Sequence, residues 1–314
     1  MRAVVYLALL PMIAVAYAQK PQPRADVGEI AAVIEANYYD EERGRIIANK
    51  LVREVEKGAF DGSADRRALA LMLTTKLRNI DRHFKVHWGE APSNPVPRRN
   101  PEDSNEQSED AQFGFTRVER LSGNVAYIEL TGAADIDFAD ASSPARSRAD
   151  AVLKQVRDAR ALILDLRQNR GGSPAMVGYL VSAFVAPTED VYNRFHTRDL
   201  VLSERPAQLY ANPMREIPLF VLVGPGTASA AESLAYTLQA CGRAVIVGER
   251  TAGAANPGAP FVTPSGYSVF VSTGSPRNPL TGRNWEAEGV RPDASTPASE
   301  ALAEARALIE RRRD

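Results

Sequence analysis

The chain reads as an α/β protein with a mainly parallel sheet, preceded by a small helical N-terminal domain. Three observations predict this. Residues 219–223 form the unbroken apolar run Leu-Phe-Val-Leu-Val, the length and composition of a strand buried on both faces, as in a parallel sheet. Gly224, Pro225 and Gly226 stop that run, and Ala230, Ala231, Leu234, Ala235 and Leu238 then recur at helical spacing. The same order of strand, glycine loop and helix occurs earlier: 161–166, apolar except for Asp165, reads as a second buried strand; Gly171 and Gly172 follow; and Met176, Val177, Leu180, Val181 and Phe184 recur at helical spacing. Repeated alternation of this kind builds parallel sheets.

Taken in order, residues 1–18 have a basic start at Arg2, an apolar stretch over 4–14 and the small-x-small site Ala16-Tyr17-Ala18. This is the pattern of a cleavable export signal, so the mature protein is expected to be secreted or periplasmic, without stable membrane insertion. Residues 19–88 are expected to be the helical N-terminal domain, carried by Val27, Ile30, Val33 and Ile34, then Ile46, Ile47, Leu51 and Val55, then Leu69, Leu71, Leu73 and Leu77. It ends in an extended segment where Phe84, Val86 and Trp88 alternate with polar residues. Residues 89–112, rich in Pro, Asn and acids, read as a linker or mobile loop.

The core is expected over 113–298. It opens with two strands around the turn Ser122-Gly123-Asn124 and continues through a helix near 146–160, the two strand–loop–helix units, and strands at 244–247 and 267–271. A hairpin-like stretch over 191–202 separates the two units, and residues 299–314 form a last helix.

Composition removes several function classes. Thirty-eight basic residues balance 39 acidic ones in 314, so nothing calls for nucleic acid or a charged membrane face. Cys241 is the one cysteine; no disulfide forms within the chain, and a small buried thiol is the expected role.

Ser229 follows the glycine turn at the start of a helix, where free N–H groups and a partial positive charge favour an alkoxide or a tetrahedral oxyanion. Ser229 and Glu232 also make a capping box, which any helix could carry. A serine nucleophile needs a base and an oxyanion hole. The bases are few, because His83, His87 and His196 are the three histidines. Gly171 and Gly172 suit an oxyanion hole, since backbone N–H groups approach a ligand closely where no Cβ stands in the way, and the Ala230 N–H would be a second donor. An ordinary tight turn is the alternative for the two glycines.

The ordered blocks LILDLRQNRGG, GPGTASAAESLAY, VIVGERTAG and WEAEGVRPD resemble the signature blocks of the C-terminal processing (tail-specific) serine peptidases. The resemblance spans about residues 113–295. It implies a crotonase/Clp-protease-like catalytic core, a peptide or protein substrate, and no metal or cofactor. On the matching positions, Ser229 is the nucleophile and Gly171 and Gly172 lie at the oxyanion hole. The lysine base of the bacterial tail-specific enzymes has no counterpart: Ala254, Ala255 and Asn256 stand there, and Lys154 is the last lysine. Only 89–111 separates helical unit from core, which leaves no room for a PDZ domain.

Both features resemble the histidine-using branch, that of the tricorn core protease and the interphotoreceptor retinoid-binding protein repeats. There the base lies in an Asp-x-His segment, matched by Asp81-Arg82-His83, and a glutamate before Gly-Val-x-Pro-Asp falls on Glu286. No residue next to His83 matches the second serine of that site, and His87 is the reserve base. The expected activity is peptide hydrolysis through a Ser229 acyl-enzyme. The alternatives are a non-catalytic binding protein on the same fold and, more distantly, a crotonase-like acyl-CoA enzyme.

Overall fold

The computed structural model describes residues 21–89 and 112–312. The expected export signal lies outside the described residues, as does nearly all of the expected linker.

Helices α1 (Pro23–Asn37), α2 (Glu41–Glu56) and α3 (Arg66–Leu77) come first, then strand β1 (Lys85–Trp88). Asp40 and Asp65 cap α2 and α3 by accepting the N–H groups of Arg43 and Ala68. The antiparallel pair β2 (Phe115–Leu121) and β3 (Val125–Leu130) turns at Asn124, which holds φ 60°. Next come α4 (Pro144–Val156), β4 (Ala161–Asp165), α5 (Pro174–Ser182) and the hairpin β5 (Arg194–Thr197) with β6 (Val201–Ser203). Strand β7 (Leu219–Val223) leads through the glycine turn to α6 (Ala230–Ala240) and β8 (Ala244–Gly248). The chain ends with β9 (Gly258–Val262), β10 (Tyr267–Ser272), β11 (Gly274–Arg277), β12 (Ala294–Ser295) and α7 (Ala301–Arg311).

The central sheet has the order β12-β8-β7-β4-β3-β2 and is parallel except for β2 with β3. Side chains alternate between its faces with the strand period of two. Ala126, Leu162, Leu164, Val221 and Ile246 pack under α4, α5 and α6, whereas Tyr127, Ile163, Phe220, Leu222 and Val247 pack against Ala301, Ala305 and Ile309 of α7. Strands β3, β4, β7 and β8 advance in one direction, so right-handed crossovers put their three connecting helices on the same face. The loops after β4, β7 and β8 therefore meet at one sheet edge, outside the carboxyl ends of the strands, where open α/β sheets bind ligands.

The N-terminal helices share their core with a late part of the chain. Strand β1 pairs with β10, and Tyr267, Val269 and Val271 of β10 pack with Ile30, Ile34, Leu51 and Leu73. Ile46 and Leu71, expected among the residues that carry this unit, are exposed. The residues just before β1 are thereby fixed against the rest of the molecule.

Candidate active site

Ser229 is exposed at the N-terminus of α6 with φ 56° and ψ −123°. Few non-glycine residues adopt this conformation, which costs about 1–3 kcal/mol and persists only where the surroundings impose it. Here they do. The Thr227 hydroxyl is buried, donates to Leu166 O at 2.8 Å and accepts the Gly224 N–H at 3.1 Å. The Ala228 N–H donates to Asn169 O at 3.0 Å, so the turn after β7 is stitched to the loop after β4. The Ser229 N–H donates to Glu232 at 2.9 Å, and its carbonyl accepts the Ser233 N–H at 3.0 Å.

The glycine loop presses on this turn. A Cβ on Gly171 would come 2.9 Å from Ser229 Cβ and 3.2 Å from the Ala230 nitrogen. Gly171 and Gly172 have φ of 117° and 135°, a region glycine enters without strain. The Gly171 N–H donates to Asn169 Oδ1 at 2.8 Å. The Gly171 carbonyl and the Ser173 N–H bond Ala133, which turns the N–H of the intervening Gly172 away from that contact. Among the described residues, neither the Gly172 nor the Ala230 N–H meets an acceptor.

On the histidine side, His83 Nδ1 lies 3.0 Å from Asp81 Oδ1, and the His83 backbone N–H donates to the same oxygen at 2.9 Å. The other oxygen of Asp81 accepts the hydroxyls of Tyr38 at 3.1 Å and Ser272 at 2.8 Å. Burial opposes ionisation of Asp81, but the bonds from His83 and Ser272 prevail and lower its pKa to about 2. An ionised carboxylate can only accept, so Nδ1 carries the imidazole proton and Nε2 keeps the basic lone pair. Burial also opposes the charged form of His83; the Asp81 hydrogen bond, then the charges of Glu286, Asp81 and Glu232, outweigh it and raise the pKa.

Glu286 Oε1 lies 3.5 Å from His83 Nδ1, while Oε2 accepts the N–H groups of Ala255 at 2.9 Å and Asn256 at 3.1 Å. Burial raises its pKa, against the opposing pull of His83 and the two N–H donors. Glu232 grips the same loop from the other side. Fully buried, it accepts from Thr251 Oγ1 (2.5 Å) and the N–H groups of Gly253 (2.6 Å) and Ala254 (2.9 Å), besides that of Ser229. Residues 251–256 thus couple the serine to the histidine: Glu232 joins Ser229 to Ala254, and Glu286 joins Ala255 to His83.

The structure brings Ser229, Gly171 and Ala230 together, and separately Asp81, His83 and Glu286. His87 lies within β1 opposite Ser268. His196 lines a depression that also contains Glu286. Sequence reasoning gave no role to Tyr38, Ser272, Asn169 or Thr251, and Glu232 had only its capping role. The one signal available was Asp81 two residues before His83, a spacing that lets a carboxylate reach the following histidine. Ligand atoms of Asp81, His83 and Glu286 lie within 4.8 Å of one another, a spacing a cation could bridge. Four N–H and O–H donors already hold Asp81, and two backbone N–H groups hold Glu286. No helix among the described residues is long and apolar enough to cross a membrane.

Residues 124–296 match peptidase family S41. A carboxyl-terminal-processing protease from Picosynechococcus sp. is 32% identical over 143 residues, 46% of this chain and 33% of that protein. The chain thus aligns with about a third of that curated relative's length. Among solved structures, a lipoprotein from Streptococcus agalactiae covers 98% of this chain and 100% of its own, with TM-score 0.57 and 17% identity. The photosystem II D1 C-terminal processing protease covers 92% of this chain and 97% of its own, with TM-score 0.54 and 16% identity. These two show the fold. By the family match over more than half its length, with the strand order and glycine turns just described, the chain belongs to peptidase family S41.

Proposed function

We propose that the protein is an exported serine peptidase that hydrolyses peptide bonds through a Ser229 acyl-enzyme, with His83 as general base. The observation that carries this reading is the backbone of Ser229, exposed and strained at a helix N-terminus against Gly171. A cap needs no such conformation, whereas a nucleophile gains from a hydroxyl held out toward a carbonyl carbon. Ser229 Oγ attacks that carbon as His83 Nε2 takes the hydroxyl proton. The Gly172 and Ala230 N–H groups hold the oxyanion, and Gly171 lets the loop approach closely enough to present them. Asp81 fixes the tautomer of His83, and Glu286 adds charge that stabilises the imidazolium. His83 then protonates the leaving amine, and water, activated by the same nitrogen, releases the acyl group. Export rests on the basic, apolar and small-residue pattern of residues 1–18.

A fluorophosphonate probe tests the assignment, because it labels only an activated serine. The expected result is one adduct, located on Ser229 by peptide mass spectrometry and absent from Ser229→Ala. A folded protein that takes no label would instead be a binding protein on the peptidase fold.

A further inference from the structure

The geometry points to a specificity surface: we propose that the groove beside Glu286 selects peptide segments carrying acidic side chains. This rests on the peptidase reading of the site. Two neighbouring depressions, of roughly 520 and 490 Å³, share Tyr39, Ser275, Asn284 and Glu286, so they form one trough passing the histidine side of the site. Arg43, Arg78 and Arg82 border one part, and Arg277 and Arg283 border the other. All five are exposed.

None of the five has a carboxylate within 4.0 Å among the described residues. Elsewhere arginines do find acids: Arg66 pairs with Asp26, Arg160 with Glu310, and Arg194, which lies opposite Arg277 in the β11–β5 ladder, with Asp190. In the trough, Arg43 and Arg78 each give one N–H to a carbonyl, of Ile80 and Arg82, which leaves their charge uncompensated. The lining acids are fewer than the arginines: Asp81 and Glu286 face His83, and Glu288 pairs with Arg291 at 3.7 Å, against five arginines. The charge offered to a ligand is therefore positive, and a concave wall of low dielectric concentrates it.

A guanidinium fork matches a carboxylate in shape and charge. Five arginines spread over two depressions exceed what one terminal carboxylate can engage, so the geometry favours several acidic side chains along an extended peptide.

The test uses full-length Ser229→Ala protein, so that binding is read without turnover and stays informative even where the peptidase reading fails. Fluorescein-labelled, C-terminally amidated hexaglutamate and hexaglutamine peptides are titrated by fluorescence anisotropy at low and high salt. At low salt, hexaglutamate is expected to bind about 10-fold or more tightly than hexaglutamine, with the preference shrinking as salt screens it. Adding Arg277→Ala and Arg283→Ala together should weaken hexaglutamate by about 4–25-fold, at 2–5-fold per exposed contact. The paired Arg→Lys changes should restore part of the loss. Equal binding of the two peptides would overturn the proposal. So would a preference that survives both this pair and the combined Arg43→Ala, Arg78→Ala and Arg82→Ala changes. A hexaalanine peptide preferred as free acid over amide, with no glutamate preference, would overturn it in favour of a terminal-carboxylate site.

Discussion

The serine side and the histidine side of the site are built by different means. The serine side comes from consecutive residues: β7, its turn and α6, with the glycine loop supplied by the next strand in the sheet, β4. Parallel pairing of β4 with β7 brings the two loops together, and a few bonds through Thr227, Ala228 and Asn169 fix them. The histidine side is gathered from Tyr38, Asp81, His83, Ser272 and Glu286, of which only Asp81 and His83 are neighbours in sequence. Sheet geometry places the proposed nucleophile for any sequence that keeps the strand and the glycines. The proposed base, assembled from distant segments, depends on each pairwise contact.

The largest expected effects fall on the reacting groups. Ser229→Ala should lower peptidase kcat/KM by about 10⁴-fold or more, since the proposed acyl-enzyme cannot form. His83→Ala should cost a comparable factor. His196→Ala, at the edge of the trough, should cost less than about 10-fold by the same assay. Full activity in Ser229→Ala, or a larger loss at His196 or His87 than at His83, would undo the assignment of the two sides.

The second prediction isolates what Asp81 does. Asp81→Asn retains shape but can donate to Nδ1, which favours the tautomer with the proton on Nε2. A fall in kcat of about 10²–10⁴-fold is expected, with probe labelling slowed in parallel. The same variant should lose stability on the order of 2 kcal/mol at neutral pH, judged from the lowering of the Asp81 pKa to about 2. The sign follows from the direction: an acid with a lowered pKa stabilises the fold above its unfolded value near 3.9, and that contribution fades as pH falls toward about 2. Urea melts at pH 7 and pH 2 should converge for wild type and variant at the acid end.

The serine side should respond in the opposite sense to relief of strain. Ser229→Gly removes the Cβ from a backbone at φ 56°, so the folded protein should gain about 1 kcal/mol while losing activity. A melting temperature that falls would mean that the strain is not stored there.

How much was legible in the sequence follows the same division. Ser229, Gly171 and Gly172 stood out because the strand–glycine–helix pattern is local and has a period. His83 stood out through the scarcity of histidines and its likeness to an Asp-x-His segment. Tyr38 could not be found, since nothing at the end of a helix announces a partner 43 residues away. Ser272 lies 191 residues from Asp81, at the end of a strand that pairs across the fold. Strands β9 and β11 also escaped notice: Gly258 with Pro260, and Gly274 with Pro276, read as turn material, and edge strands tolerate proline that central ones do not. Residues 251–256 drew notice only as the end of a signature block and as the place where no lysine stands, because their role is to offer backbone N–H groups to Glu232 and Glu286, which side-chain patterns do not display.

The smallest and most discriminating effect concerns pH. A general base must be neutral to accept a proton, so on the proposed mechanism the acidic limb of kcat/KM reports the free-enzyme pKa of His83. Burial pulls that value down, while the Asp81 hydrogen bond and the charge of Glu286 push it up and prevail. The limb is therefore expected above the ordinary histidine value of about 6.5. Glu286→Gln removes one raising influence and keeps the acceptor for Ala255 and Asn256, so it should move the limb to lower pH with only a modest change in the plateau. Stability runs the other way. A histidine whose folded pKa is raised contributes stability in full below its unfolded value, and this is lost as pH rises through the folded value. The protein should thus reach full activity only after the stabilising contribution of protonated His83 has been given up, and Glu286→Gln should bring both transitions down together. A limb that stays in place in that variant, while melting curves shift, would show that a group other than His83 takes the proton from Ser229.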